Sequence, residues 1–93
     1  MIPNQGKVLV DFYADWCQPC TQMNTVLEDF KVLNENASGA TAQVVKINVD
    51  QNRELAQQYG VRGIPCFVVV NDGAEINRAT GMQTLQQLKD LTK

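Results

Sequence analysis

The spacing of apolar and polar positions changes period several times along the chain, and each change predicts an element. Lys7-Val-Leu-Val-Asp-Phe-Tyr-Ala14 is β-branched and aromatic and nearly continuous in apolar character, as in a strand covered on both faces. After Trp16 the period becomes three and four: Met23, Val26, Leu27, Phe30 and Leu33 form the apolar face of a helix. Pro19 suits its first turn, where a missing N–H costs nothing, and Ser38-Gly39 supplies its end. Gln43 to Asp50 reads as a second strand, with Val45, Ile47 and Val49 on one face. Asn52 is placed to cap a short helix carrying Leu55, Ala56 and Tyr59, and Gly60 ends it. Cys66 to Asn71 is a third strand. Asn71-Asp72-Gly73 is a turn signal, and Glu75 to Thr80 returns as a fourth strand in a hairpin. Gly81 breaks the pattern before Leu85, Leu88 and Leu91 mark a final amphipathic helix.

The order βαβαββα predicts an α/β fold. The first helical crossover makes the first two strands parallel, and the hairpin adds antiparallel strands. One mixed, four-stranded sheet with its three helices spread over both faces follows. At 93 residues and 44% apolar composition the chain suits a single domain with one core.

Charge and composition remove several functions. The net charge of −2 is evenly mixed, so no basic stripe collects nucleic-acid phosphates. The longest apolar run, Ile64 to Val70, is too short to span a membrane. The first residues lack a signal-peptide layout, so a chain starting natively at Met1 is expected in the cytoplasm. Three cysteines leave one outside any internal pairing, and the absence of histidine removes Ser-His-Asp and Cys-His nucleophile pairs.

Trp16-Cys17-Gln18-Pro19-Cys20 sits where the first strand gives way to the first helix. Thiol–disulfide exchange needs a thiolate, and free N–H groups at a helix start stabilise one at Cys17. Cys20 lies one turn on, so Cys17 is expected to be the exposed nucleophile and Cys20 the more buried resolving thiol. A Cys-x-x-Cys pair also serves as half a zinc site, but only Cys66 remains to complete one. Two purely structural thiols are the other plain reading. No metal and no cofactor are expected.

Val10-Asp-Phe-Tyr-Ala-Asp-Trp-Cys-Gln-Pro-Cys20 closely resembles the active-site stretch of the thioredoxin family, and Val61-Arg-Gly-Ile-Pro-Cys-Phe67 resembles that family's cis-proline loop. The likeness covers the chain from about Gly6 onward. It implies a thioredoxin-like fold lacking the first strand and helix of full-length members, which makes the Gln43–Asp50 strand an edge and a site for homodimer pairing. It implies a cis bond at Ile64-Pro65, baring the Ile64 backbone to an extended substrate, with Trp16, Gly63, Ile64 and Gly81 lining the groove. Trp16 is otherwise a core aromatic.

Asp11 interrupts an apolar strand. It either faces solvent or is a buried acid of raised pKa able to exchange the Cys20 proton through a water. The family carries a buried aspartate there, and the resemblance pairs it with Lys46, otherwise a solvated strand residue. Gln18 and Thr21 depart from the family's usual glycine and lysine, which bears on the reduction potential. Cys66 stands where threonine is usual. It is expected beside the Cys17/Cys20 pair, either as a small buried residue or as a third redox thiol.

The function implied is reduction of protein disulfides, recharged by a flavin-dependent thioredoxin reductase. An oxidant or isomerase outside the cytoplasm, a glutathione-linked enzyme and a non-catalytic binding module are the alternatives.

Overall fold

The computed structural model describes residues 2–36 and 42–93. Seven elements follow the predicted order: β1 (Lys7–Tyr13), α1 (Gln18–Asn36), β2 (Ala42–Asn48), α2 (Arg53–Gln58), β3 (Cys66–Asn71), β4 (Ala74–Thr80) and α3 (Leu85–Leu91). The strands form one mixed sheet in the order β2-β1-β3-β4, with β1 parallel to β2 and antiparallel to β3.

The apolar runs occupy the sheet's centre. In β1 and β3 side chains alternate between two cores, so both faces must be apolar. On one face Val8, Val10 and Phe12 pack with Cys66, Val68, Val70, Ile47 and Ala56, under α2. On the other, Leu9, Phe67 and Val69 meet Met23, Leu27 and Phe30 of α1 and Leu88 of α3.

Leu33 departs from the expected helix face, being 46% exposed. The reason is length: Asn34 already bonds the carbonyl of Ala42, the first residue of β2, so α1 reaches the sheet's end there. The predicted stop at Ser38-Gly39 lies outside the described residues.

The second strand ends at Asn48 rather than Asp50. The Asn48 side-chain oxygen accepts from the N–H groups of Asp50 (2.9 Å) and Gln51 (3.3 Å), turning the chain out of the sheet. Asn52 precedes α2 but does not cap it through its side chain, which instead donates to the Asn48 carbonyl at 3.0 Å. The β3–β4 turn has positive φ at Asp72 (51°) and Gly73 (86°), as a two-residue turn matched to strand twist requires. The Asp72 carboxylate accepts from the Gly6 N–H at 2.7 Å and ties this turn to the entry of β1. A register shift between Val69 and Val70 leaves Ile76 without a partner in the ladder and half exposed. A reciprocal Thr84/Gln87 capping box starts α3.

Phe12 is fully buried while Leu33 is half exposed. Phe12→Ala is therefore expected to cost about 3–5 kcal/mol and Leu33→Ala under about 1 kcal/mol, read by urea unfolding of the oxidised protein. Similar losses at the two sites would contradict this packing.

Candidate active site

The chain leaves β1 at Tyr13 and turns, with the Cys17 N–H donating to the Ala14 carbonyl at 3.2 Å. Helix α1 begins one residue later, at Gln18, which puts Cys17 where a helix is normally capped. Its sulfur plays the part of a capping oxygen: the Cys20 N–H donates to Cys17 Sγ at 3.2 Å. Pro19 removes one competing donor from this first turn. Cys17 and Cys20 are disulfide-bonded, with Cα atoms 5.2 Å apart.

The expected contrast between an exposed Cys17 and a buried Cys20 is almost absent in this oxidised form, at 5% and 3% exposure. Ala14, Tyr13, Val49 and Ile64 surround the disulfide and shield both sulfurs. Trp16 beside them is 71% exposed, so the core-aromatic reading is excluded. Its indole N–H donates to the Asp50 carboxylate at 2.8 Å. The sequence reading missed Asp50. Parallel β1 and β2 end side by side, and the Val49 N–H donates to the Tyr13 carbonyl at 2.8 Å, which brings Asp50 to Trp16.

The loop before β3 completes the surroundings. The Ile64-Pro65 bond is cis, and Pro65 is buried. The Gly81 N–H donates to the Pro65 carbonyl at 2.8 Å, joining the end of β4 to this loop. Gly63 is closely approached: a Cβ there would stand 3.2 Å from the Thr80 methyl, which would have to give by a few tenths of an ångström. Trp16, Val49, Gly63 and Ile64 help line a mainly apolar cavity of about 180 Å³. A larger open hollow of about 580 Å³ at the start of α2 has none of the cysteines in its lining.

Asp11 lies in mid-β1, opposite Lys46 of β2 and Phe67 of β3, and is fully buried. Neither carboxylate oxygen has a hydrogen-bond partner. Loss of hydration pushes its pKa from 3.8 to about 6, against a smaller opposing pull from the Lys46 charge. The direct pair implied for Asp11 and Lys46 is not formed. The Lys46 ammonium instead donates to Asn24 Oδ1 at 2.6 Å and lies 4.6 Å from the centre of the Tyr13 ring.

Cys66 also departs from expectation. Strand alternation turns it to the same face as Val68 and Val70, so it packs in the core under α2 rather than in the cluster around the disulfide. Burial pushes its thiol pKa up, and the Thr80 hydroxyl, 3.9 Å from the sulfur, acts in the opposite direction. Among the described residues no group of three or more acidic, cysteine or histidine side chains could hold a metal ion, and no helix is long and apolar enough to cross a membrane.

Folded Asp11 keeps its proton up to about pH 6, whereas an ordinary aspartate loses it near 3.8. The native state thus binds more protons between those values, and stability falls as pH rises through that window. Asp11→Asn is expected to stabilise the protein by about 2–3 kcal/mol near pH 8 and by little near pH 4, measured by denaturant unfolding. A pH-independent effect would contradict the buried, unpaired carboxyl.

The thioredoxin family model matches residues 1–93. Thioredoxin from Bacillus subtilis (strain 168) is 38% identical over 88 residues, covering 95% of this chain and 81% of that protein. Thioredoxin from Alicyclobacillus acidocaldarius is 39% identical over 88 residues, covering 95% and 80%. Among solved structures, a mutant thioredoxin from Halobacterium salinarum NRC-1 superposes with a TM-score of 0.81 at 44% identity, covering 96% of this chain and 74% of that one. Fasciola hepatica thioredoxin does so with a TM-score of 0.78 at 35% identity, covering 94% and 79%. A capped cysteine pair at the start of α1, a buried acid in β1 and this agreement over nearly the whole length lead to one assignment: the chain belongs to the thioredoxin family.

Proposed function

We propose that this protein reduces protein disulfides by dithiol–disulfide exchange at Cys17 and Cys20. The observation that carries the reading is the Cys17–Cys20 disulfide at the start of α1, with a helix N–H directed at Cys17 Sγ. In the reduced protein that N–H and the helix dipole favour a Cys17 thiolate. The thiolate attacks one sulfur of a substrate disulfide, forms a mixed disulfide and releases one substrate thiolate, which takes a proton. Cys20 then gives up its proton and attacks Cys17 Sγ. The internal disulfide reforms and the second substrate thiolate leaves. Two electrons pass to the substrate, and a reductase of the flavin-dependent thioredoxin reductase class returns them.

Asp11 receives the Cys20 proton through a water in this scheme. A carboxyl with a pKa of about 6 is suited to exchanging protons near neutrality. Lys46 tunes that carboxyl from a distance. Trp16, Gly63, Ile64, Pro65 and Gly81 form the apolar, chain-tolerant surface on which an extended substrate segment lies beside the sulfurs. The reductant direction suits a compartment that keeps thiols reduced, such as the cytoplasm.

A second copy of the chain is the other partner proposed. β2 is an edge of the sheet, with Val44 and Val45 only half buried, and edge strands pair readily.

Cys17→Ser is expected to lower dithiol-driven insulin reduction at least about a thousandfold, while Cys20→Ser accumulates a mixed disulfide at Cys17, identified by mass. Turnover retained in Cys17→Ser would overturn the assignment. Sedimentation across micromolar concentrations is expected to show a concentration-dependent dimer that Val44→Pro, which removes an N–H facing the open edge, abolishes; a monomer throughout would overturn the edge pairing.

A further inference from the structure

The cation whose charge acts on the buried acid, Lys46, is held by two groups outside the sequence motifs. Lys46 stands level with Asp11 in the parallel β1–β2 pairing, so the two side chains leave the same face of the sheet. The Lys46 ammonium does not drop onto the carboxyl. It leans toward Tyr13, two residues further along β1, and is anchored there by the Asn24 side chain of α1 at 2.6 Å and the Tyr13 ring at 4.6 Å. Lys46 forms no ion pair among the described residues, and both Asp11 oxygens lack partners. Lys46 is an exposed lysine, and its default is a mobile, fully hydrated ammonium. Asn24 is equally exposed, and no core packing accounts for its place over the strand.

We propose that Asn24 is a positioning residue for the redox chemistry: by anchoring Lys46 against Tyr13, it keeps one positive charge close to the buried Asp11 carboxyl instead of letting it drift into water. A direct ion pair would hold Asp11 ionised and unable to take a proton. A free lysine would spend its time in water, and the field at the carboxyl would fade with distance and screening. Holding the ammonium between these limits sets how readily the acid gives up its proton. The inference rests on the reading of Asp11 as the acid serving Cys20.

The other charges near Asp11 leave Lys46 as the main lever. On β3, Phe67 opposite is uncharged, and Cys66 on the far face is a neutral thiol whose pKa is raised. On α1, Cys17 and Cys20 are uncharged while bonded, and Glu28, Asp29 and Lys31 are exposed, as are Lys89 and Asp90 of α3. The phenol of Tyr13 lies on β1 itself.

The test is a titration of the Asp11 side-chain carboxyl by carbon-detected NMR, in the oxidised protein and without turnover. Asn24→Ala is expected to raise the Asp11 midpoint by about half a pH unit, because the ammonium drifts into water. Lys46→Met is expected to raise it at least as far. Asn24→Ala added to Lys46→Met is expected to do nothing more, which separates an effect through Lys46 from a structural one. An unchanged or lowered midpoint in Asn24→Ala, or a further shift in the double variant, would overturn the proposal. Its failure is distinguishable from failure of the proton-acceptor reading. Should Asp11→Asn reduce insulin at full rate, that reading falls while the Asn24 effect on the midpoint stands.

Discussion

A sulfur atom takes the place of a capping oxygen at the start of α1, and the rest of the site is arranged around that substitution. The first N–H groups of a helix have no partner within it, and one of them reaches Cys17 Sγ at 3.2 Å. For a neutral sulfur this contact is weak. Once the disulfide is reduced, the same donor and the aligned peptide dipoles stabilise a developing negative charge, and the weak contact becomes a reason for the thiolate to exist. β1 must therefore end just before the cysteine, and the helix must begin just after it. The central position of β1 in the sheet makes that junction rigid, since it is held by β2 on one side and β3 on the other. Val49 and Ile64 then close over the sulfurs from two further segments.

The second requirement is a proton acceptor that does not compete for the thiolate's stabilisation. The proposed exchange assigns that part to the carboxyl buried in mid-β1: removal from water keeps the group neutral to higher pH, and no neighbour satisfies its oxygens. Such a group lowers the stability of the fold near neutrality. The structure softens the loss with a single remote cation rather than removing it with an ion pair. That distinction depends on α1, the same helix whose start holds the sulfur.

Most of this was legible from residue order. The apolar runs of β1 and β3 announced strands with two covered faces, and the change to spacings of three and four after Trp16 placed the strand–helix junction at the cysteines. Asp11 stood out because it is the one charge set among apolar residues on both sides, Val8 to Val10 and Phe12 to Tyr13. What escaped is what depends on register and helix placement. Periodicity put Leu33 on the buried face, but a period cannot say where the helix reaches the end of the sheet beneath it. Asp50 meets Trp16 only because two parallel strands finish level with each other. Cys66 follows Pro65 in the chain, yet its alternation with Phe67 directs it to the opposite core from α1. The partnership of Lys46 with Asn24 depends on the rotation of α1 over β2, which no local pattern encodes. The Thr84-x-x-Gln87 cap, in contrast, is a purely local pattern and is legible in the sequence.

The chemistry of the site turns on the acidity of one thiol. Titrating Cys17 in the reduced protein, by thiolate absorbance and by the pH dependence of its alkylation, measures it directly. The arrangement at the start of α1 predicts a midpoint at least about one unit below the 8.5 of a free cysteine. A midpoint at or above that of a free cysteine would contradict it, because the helix start would then be doing nothing for the sulfur it encloses.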